Sequence, residues 1–239
     1  MGGVKTGISG QINNNIVTDG LVFYIDPAYK ISYPGTGTTT TDIINNLSGT
    51  FSSTPIFDPS EGQGVIDFDG TDVINFGTDV FTNYLSGTTQ FTCMFWCKKD
   101  ASNKQALMGS WQHTTRDGFF LQWYLNGTLY FGVSNGGSNN ATVTLTWEDR
   151  WFCLAGVFNG SLINNDRNKI YVDGNLTSYS PTGFITSFTT DASELQIGSL
   201  QNYSAYHDGK IGPVQIYNRA LSATEIKQNY QAQKERFGL

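Results

Sequence analysis

The chain has 239 residues, only 14% of them charged, with 20 Asp and Glu against 14 Lys and Arg for a net charge of −6. An ordinary soluble domain carries about 25% charged residues, so Ser, Thr, Asn and Gly supply most of the polar surface here. Scattered basic residues under a net negative charge exclude nucleic acid as a partner, because neutralised phosphates dominate that affinity, and the longest apolar runs, Gly20 to Ile25 and Phe91 to Cys97, exclude a membrane span of about 20 residues.

In chain order, residues Met1 to Thr18 are rich in Gly and Asn with little to bury, which predicts an N-terminal arm that floats or lies on a neighbour. The opening MGGVKTGISG has no apolar core of a secretory leader, so none is expected. GLVFYID then alternates as a strand ended by Pro27, and SYPGTGTTTTD, Ser32 to Asp42, reads as a polar surface loop. Short strands follow at regular spacing: GVIDFDG, VINFG, FTCMFWCKK, ALMGSW, FFLQWYLNG, TLYFGVS, ATVTLT, WFCLAGVFNG, KIYVDG, ELQIGS and GKIGPVQIYN. Asn126-Gly127 and Asp173-Gly174 mark hairpin turns. Such a series predicts an all-β fold, a two-sheet antiparallel sandwich.

One helix is expected, over about residues 222–237. Ser222 and Glu225 are spaced as a capping box, Leu221 and Ile226 as its hydrophobic staple, and Gly238 as the stop. Ile226, Tyr230 and Phe237 form a narrow apolar stripe, which places the helix on a sheet edge or loop. In WFCLAGVF the sets Phe152, Leu154, Phe158 and Trp151, Cys153, Ala155, Val157 are both apolar, so this strand is expected to be central, buried on both faces.

Cys93 and Cys97 lie four apart on a strand, about 13 Å between Cα atoms, and cannot bridge each other. Both, with Cys153, read as small buried hydrophobes. Two histidines and no C-x-x-C spacing argue against structural zinc. Reduced thiols without a leader indicate assembly in a cytoplasm, so the six N-x-S/T triplets carry no glycosylation signal.

Read in order, DGLVFYIDPA, VIDFDGTDVINFG, FTCMFWCKK, RWFCLAGVFNG, KIYVDGNL, ELQIGS and GKIGPVQIYNRALSATEIKQNYQAQKERFG resemble the laminin-G-like, concanavalin A-like jelly-roll domains. The resemblance covers residues 19–239 and implies a jelly roll with one short C-terminal α-helix, KIYVDG following RWFCLAGVFNG by a hairpin, and the last strand returning beside the first. The opening DGLVFYIDPAYKISYPGTGTTTTD is similar to the version found in virion proteins of tailed bacteriophages.

Glucanases of that superfamily carry E-x-D-x-x-E along one strand, since a retaining hydrolase needs two carboxyl groups about 5 to 5.5 Å apart. None of the five glutamates, Glu61, Glu148, Glu194, Glu225 and Glu235, stands in such a triplet, and no nucleophile elbow or phosphate loop is present, so the chain reads as a non-enzyme. Calcium at the sandwich rim is implied by the resemblance. Asp67, Asp69 and Asp72 offer oxygens at short spacing, although Asp-Gly is also an ordinary turn. For sugar binding, which needs an aromatic platform flanked by polar groups, two loops qualify: one with Trp111, His113, Arg116 and Asp117, the other with Tyr203, Tyr206 and His207. The competing reading is packing between loops.

These readings lead to a non-catalytic structural protein on the virion surface, assembled in the host cytoplasm. A capsid decoration protein is favoured, held to other virion proteins by the N-terminal arm, the C-terminal helix or both, with homo-oligomers open. The alternative is a tail-associated adhesin that binds host glycans through the Trp111 and Tyr203 loops, and a glycoside hydrolase is the remote one.

Overall fold

The computed structural model describes residues 15–100, 105–112, 117–124, 127–135, 138–145, 149–163, 166–179, 185–187, 193–201 and 203–239. Sixteen strands are defined among them. They are β1 (Leu21–Ile25), β2 (Thr39–Thr41), β3 (Ser48–Phe51), β4 (Ile56–Asp58), β5 (Val65–Asp69), β6 (Ile74–Asn75), β7 (Gln90–Lys99) and β8 (Gln105–Gln112), then β9 (Asp117–Trp123), β10 (Thr128–Asn135), β11 (Ser138–Thr144), β12 (Trp151–Asn159), β13 (Asn168–Val172), β14 (Asn175–Tyr179), β15 (Leu195–Ile197) and β16 (Asp208–Tyr217). The first sheet runs β14-β13-β12-β7-β16-β5-β4, with β1 also paired to β16, and the second runs β11-β10-β9-β8-β15-β6-β3-β2. The fold is all-β, two antiparallel sheets face to face in a jelly roll, closed by the C-terminal helix α1 (Ala223–Gln233). Among the described residues no helix is long and apolar enough to cross a membrane.

Alternation along each strand decides what it buries. On β7, Phe91, Cys93, Phe95 and Cys97 enter the core between the sheets, while Met94 and Trp96 enter a second cluster on the far face. Strand β12 divides the same way, Phe152, Leu154 and Phe158 inward and Trp151, Cys153, Ala155 and Val157 outward. β12 is thus central and buried on both faces, pairing with β7 on one side and β13 on the other. The β13–β14 hairpin turns on Asp173 and Gly174, with φ of 51° and 74°. Successive left-handed residues of this kind match the twist of the flanking strands.

What covers the outer face of the first sheet is α1, which lies on the sheet face and not, as its stripe suggested, on an edge. The sequence pattern understates its burial because two of the side chains directed at the sheet are amides. Asn229 Nδ2 donates to the Tyr217 hydroxyl (2.9 Å) and its Oδ1 accepts from Val17 N (2.7 Å), while Gln233 Oε1 accepts from Trp96 Nε1 (2.8 Å). Buried amides are tolerated when so paired. The capping box at Ser222 and Glu225 is formed, and Leu221 and Ile226 sit together in the outer cluster. Beyond Gln233 the chain tightens into a 3₁₀ turn (Lys234–Phe237) that stacks Phe237 on Trp96, ring centroids 4.3 Å apart, before Gly238 ends it at φ 71°.

Two expected boundaries shift. Ile16 and Val17, assigned to the arm, are buried against the outer cluster, so the folded unit extends upstream of Asp19; Met1 to Asn14 lie outside the described residues. The stretch from Ser32 to Asp42 is a surface loop in its middle, residues 34–39, but is anchored in the interior at both ends. Ser32, Tyr33, Thr40 and Asp42 are buried, and the Asp42 carboxylate accepts from the amides of Tyr24 (2.7 Å), Ile44 (3.2 Å) and Asn45 (2.7 Å). Side-chain acceptors satisfy the backbone there, which lets polar sequence be interior.

Arg236 completes the cover. Its guanidinium makes a two-pronged bridge to fully buried Asp26 (2.6 and 2.8 Å), and the Tyr24 hydroxyl donates to the same carboxylate at 2.8 Å. Removing one partner of such a pair strands the other charge. Arg236→Ala is therefore expected to cost about 3–5 kcal/mol of unfolding free energy in urea titration, and a loss below about 1 kcal/mol would mean that the pair adds nothing net.

The inter-sheet core also holds His207. Its Nδ1 lies 2.9 Å from Gln105 Oε1, an acceptor, so Nδ1 carries the proton. Burial, reinforced by the charge of Lys99, pushes the imidazole from 6.5 down to about 3. The unfolded chain therefore takes up a proton that the native state refuses, and stability falls as pH drops below about 6.5, levelling near 3. The slope from this group reaches about 1.4 kcal/mol per pH unit, and subtracting the pH–stability curve of His207→Gln from that of the parent chain should isolate it.

All three cysteines are free and buried, and burial pushes the Cys93 thiol up to about 12. Ellman's reagent should titrate none in the native protein and all three in guanidinium.

Candidate functional site

With α1 covering the first sheet, the outer face of the second is the open face of the sandwich. Residues alternating with core-facing Phe51, Ile74, Leu195 and Ile197 point outward there. Register aligns them in a row across four strands: Thr50 opposite Asn75, Asn75 opposite Gln196, and Gln196 opposite Gly109. At Gly109 the row stops, since a Cβ would lie 2.5 Å from Leu200 Cδ2. That absent side chain is the seat on which the segment 199–206 rests.

This segment is held in several places. Leu200 packs with Ala106, Trp111 and Phe120, the Tyr203 amide donates to Leu200 O (3.1 Å), and the Tyr203 hydroxyl accepts from Gln122 Nε2 (3.0 Å). The Trp111 ring meets Phe120 at 5.1 Å and Tyr203 edge-on at 6.0 Å. Between this wall and β3 lies a groove of about 760 Å³, lined by Thr50, Ser52, Asn75 and Gln196 on the sheet side and Tyr203 and Tyr206 on the loop side, among others. Tyr206 is 37% exposed.

The amides on the groove floor are oriented by a carboxylate on the same face. Glu194 Oε2 accepts from both Asn75 Nδ2 (2.9 Å) and Gln196 Nε2 (3.1 Å), and Asn75 Oδ1 accepts from Gly77 N (2.7 Å). Two amides and a carboxylate thus form one network with defined polarity. None of the described lining residues is charged.

The aromatic residues read from the sequence are brought together in part. Tyr203 and Tyr206 line the groove, and Trp111, which stands on strand β8 and not in a loop, is nearly buried and braces Tyr203 from below. His207 is corrected: alternation turns it inward from Tyr206, and it is fully buried, out of reach of a surface ligand. Asp117 opens β9, in register with Gln112 and Asn135, and does not line the groove. His113 and Arg116 lie outside the described residues.

The calcium reading of Asp67, Asp69 and Asp72 is corrected as well. Among the described residues no group of three or more His, Cys, Asp and Glu side chains is arranged to hold a metal ion. Asp67 pairs in register with Lys210, Asp69 caps its own turn by accepting from Thr71 N and Oγ1 (2.9 and 2.7 Å), and Asp72 is buried, bonded to the Asp69 amide and to Ser53. The run makes a turn, and the carboxylates of Asp69 and Asp72 are spent on it.

Asn75, Gln196 and Glu194 were not singled out by sequence. The alternation Glu194-Leu195-Gln196-Ile197 marks both polar residues as outward. Their junction with Asn75, 119 residues away from Glu194, depends on β15 inserting between β6 and β8.

Similarity to solved structures extends over nearly the whole chain. Trypanosoma rangeli sialidase in complex with the inhibitor DANA superposes with a TM-score of 0.65 at 15% identity, over 92% of this chain and 34% of the sialidase, so the chain spans about a third of that protein. Domain 4 of AbnA, a GH43 extracellular arabinanase from Geobacillus stearothermophilus, in complex with arabinotriose, gives a TM-score of 0.65 at 15% identity over 88% of this chain and 98% of that domain. The receptor binding domain of botulinum neurotoxin type G gives 0.62 at 13% identity over 90% and 52%. Identities of this size speak for the fold alone, and it is shared by parts of glycoside hydrolases and by a receptor-binding domain. No curated protein matches the sequence. The family described as the concanavalin A-like lectin/glucanases superfamily, Laminin_G_3, matches residues 68–227, and the chain belongs to it.

Proposed function

We propose that the chain is a non-catalytic carbohydrate-binding module that takes a glycan in the groove between β3, β6, β15 and the 199–206 segment. The observation that carries this is the combination of ordered amides on the floor with two tyrosines on the wall. Amides and hydroxyls hydrogen-bond sugar hydroxyls, and an aromatic ring covers the apolar face of a pyranose or furanose. The AbnA domain, described with arabinotriose, supports the reading as a fold of this kind that holds an oligosaccharide.

The setting we propose is the outside of a tailed-phage particle, on the resemblance of the segment 19–42. One geometric fact favours it. Asn15, whose carbonyl accepts from Gln228 Nε2 at 2.9 Å, sits on the α1 side of the sandwich, opposite the sheet that carries the groove. Anchoring through the first residues would leave the groove facing outward. Imaging the native particle tests the setting: density for this domain on capsid or tail supports it, and a particle that lacks the chain refutes it.

Glycan-array screening followed by calorimetry tests the binding function. Tyr206→Ala is expected to weaken the best ligand by about five- to thirtyfold, or about 1–2 kcal/mol, with unchanged melting temperature because the ring is exposed. Binding that survives intact in Tyr206→Ala and in Gln196→Ala would place the sugar elsewhere, and a blank array would sink the function.

A further inference from the structure

Resting on the groove as a carbohydrate site, we propose that it selects neutral sugars over acid-bearing ones, and that Glu194 enforces the choice. Three observations lead here. First, Glu194 takes one hydrogen from each floor amide: its Oε2 accepts from both Asn75 and Gln196, and Asn75 Oδ1 is held by Gly77 N, so neither amide turns over without breaking a bond. Gln196 keeps its carbonyl oxygen, which has no protein partner among the described residues, beside its second N–H. That oxygen accepts, so it wants a hydroxyl, not a carboxylate or sulfate.

Second, the network itself bears a negative charge beside the floor, on the same outward face as Gln196. A ligand anion held by the floor amides would sit within a Debye length of that charge, where repulsion survives physiological salt.

Third, nothing in the described lining supplies the opposite charge. Recognition of an acidic sugar ordinarily enlists Arg or Lys, whose donors match a carboxylate or sulfate; the groove offers Thr50, Ser52, Ser199 and Ser204 with the tyrosines and amides. His207 follows Tyr206 directly, yet is fully buried in the core and stays neutral over the physiological range.

The test uses the full chain and matched pairs of immobilised glycans that differ by one acidic group, such as lactose against 3′-sialyllactose and xylotriose against its glucuronic-acid-substituted form. Binding is read at low and at high salt. The neutral member is expected to bind at least tenfold more tightly at low salt, with the gap shrinking as salt rises. In Glu194→Gln, whose carbonyl still accepts one hydrogen from the floor, the ratio should fall below about threefold. A merely structural role for Glu194 would weaken both members together and leave their ratio unchanged, which overturns the assignment to this residue. Tighter binding of the acidic member overturns the selectivity while leaving the carbohydrate function standing. Failure of every pair to bind removes the function itself, and the selectivity with it.

Discussion

The central strands of the first sheet are apolar on both faces, and the rest of the molecule is arranged around that constraint. Strands β7 and β12 carry large apolar side chains on both sides, so a two-layer sandwich leaves Trp96, Trp151 and Met94 uncovered. A third layer is needed. It is built from the chain's two ends: residues 15–17, the helix α1, and the 3₁₀ turn that delivers Phe237 between Trp96 and Trp151. The closing helix thus completes the cover of the first sheet, and the second sheet keeps an open outer face.

That third layer is held by polar chemistry as much as by hydrophobic contact. Asn229 and Gln233 reach from the helix to Tyr217 and Trp96, and Arg236 reaches to Asp26 at the end of β1. Burying apolar surface is non-directional and would tolerate many helix orientations. Paired amides and a two-pronged ion pair tolerate few, because a misaligned helix would leave buried donors and a charge unsatisfied. Registry of the helix on the sheet is the consistent explanation for putting such groups where leucines would bury more apolar area.

The elements of the core were legible because alternation and turn chemistry act locally. WFCLAGVF reveals double-faced burial and FTCMFWC one buried face from their own residues, Asp173-Gly174 reveals its hairpin, and Ser222 with Glu225 reveals the start of α1. What escaped was whatever depends on distant partners. The ends of the stretch Ser32 to Asp42 read as surface until Asp42 is seen holding the amide of Tyr24, and α1 reads as an edge helix until the amides on its buried face find Tyr217 and Trp96. In the groove, Tyr203 and Tyr206 were visible as aromatics in a polar loop. Gln196 and Asn75 were not, since an amide on a strand carries no sign of function until sheet order sets another beside it. His207 shows the opposite error, a functional residue type whose position on the strand entrance turns it into the core.

Low charge links fold to recognition. A surface built from Ser, Thr, Asn and Gln makes affinity through many oriented hydrogen bonds, each modest in water, so preorganisation decides whether they add up. Glu194 supplies it by fixing two amides from the same face, and the packing of Leu200 against Gly109 supplies it by fixing the tyrosine wall. Both devices lie on the second sheet, whose neighbours in the groove are backbone-paired strands on a close-packed core.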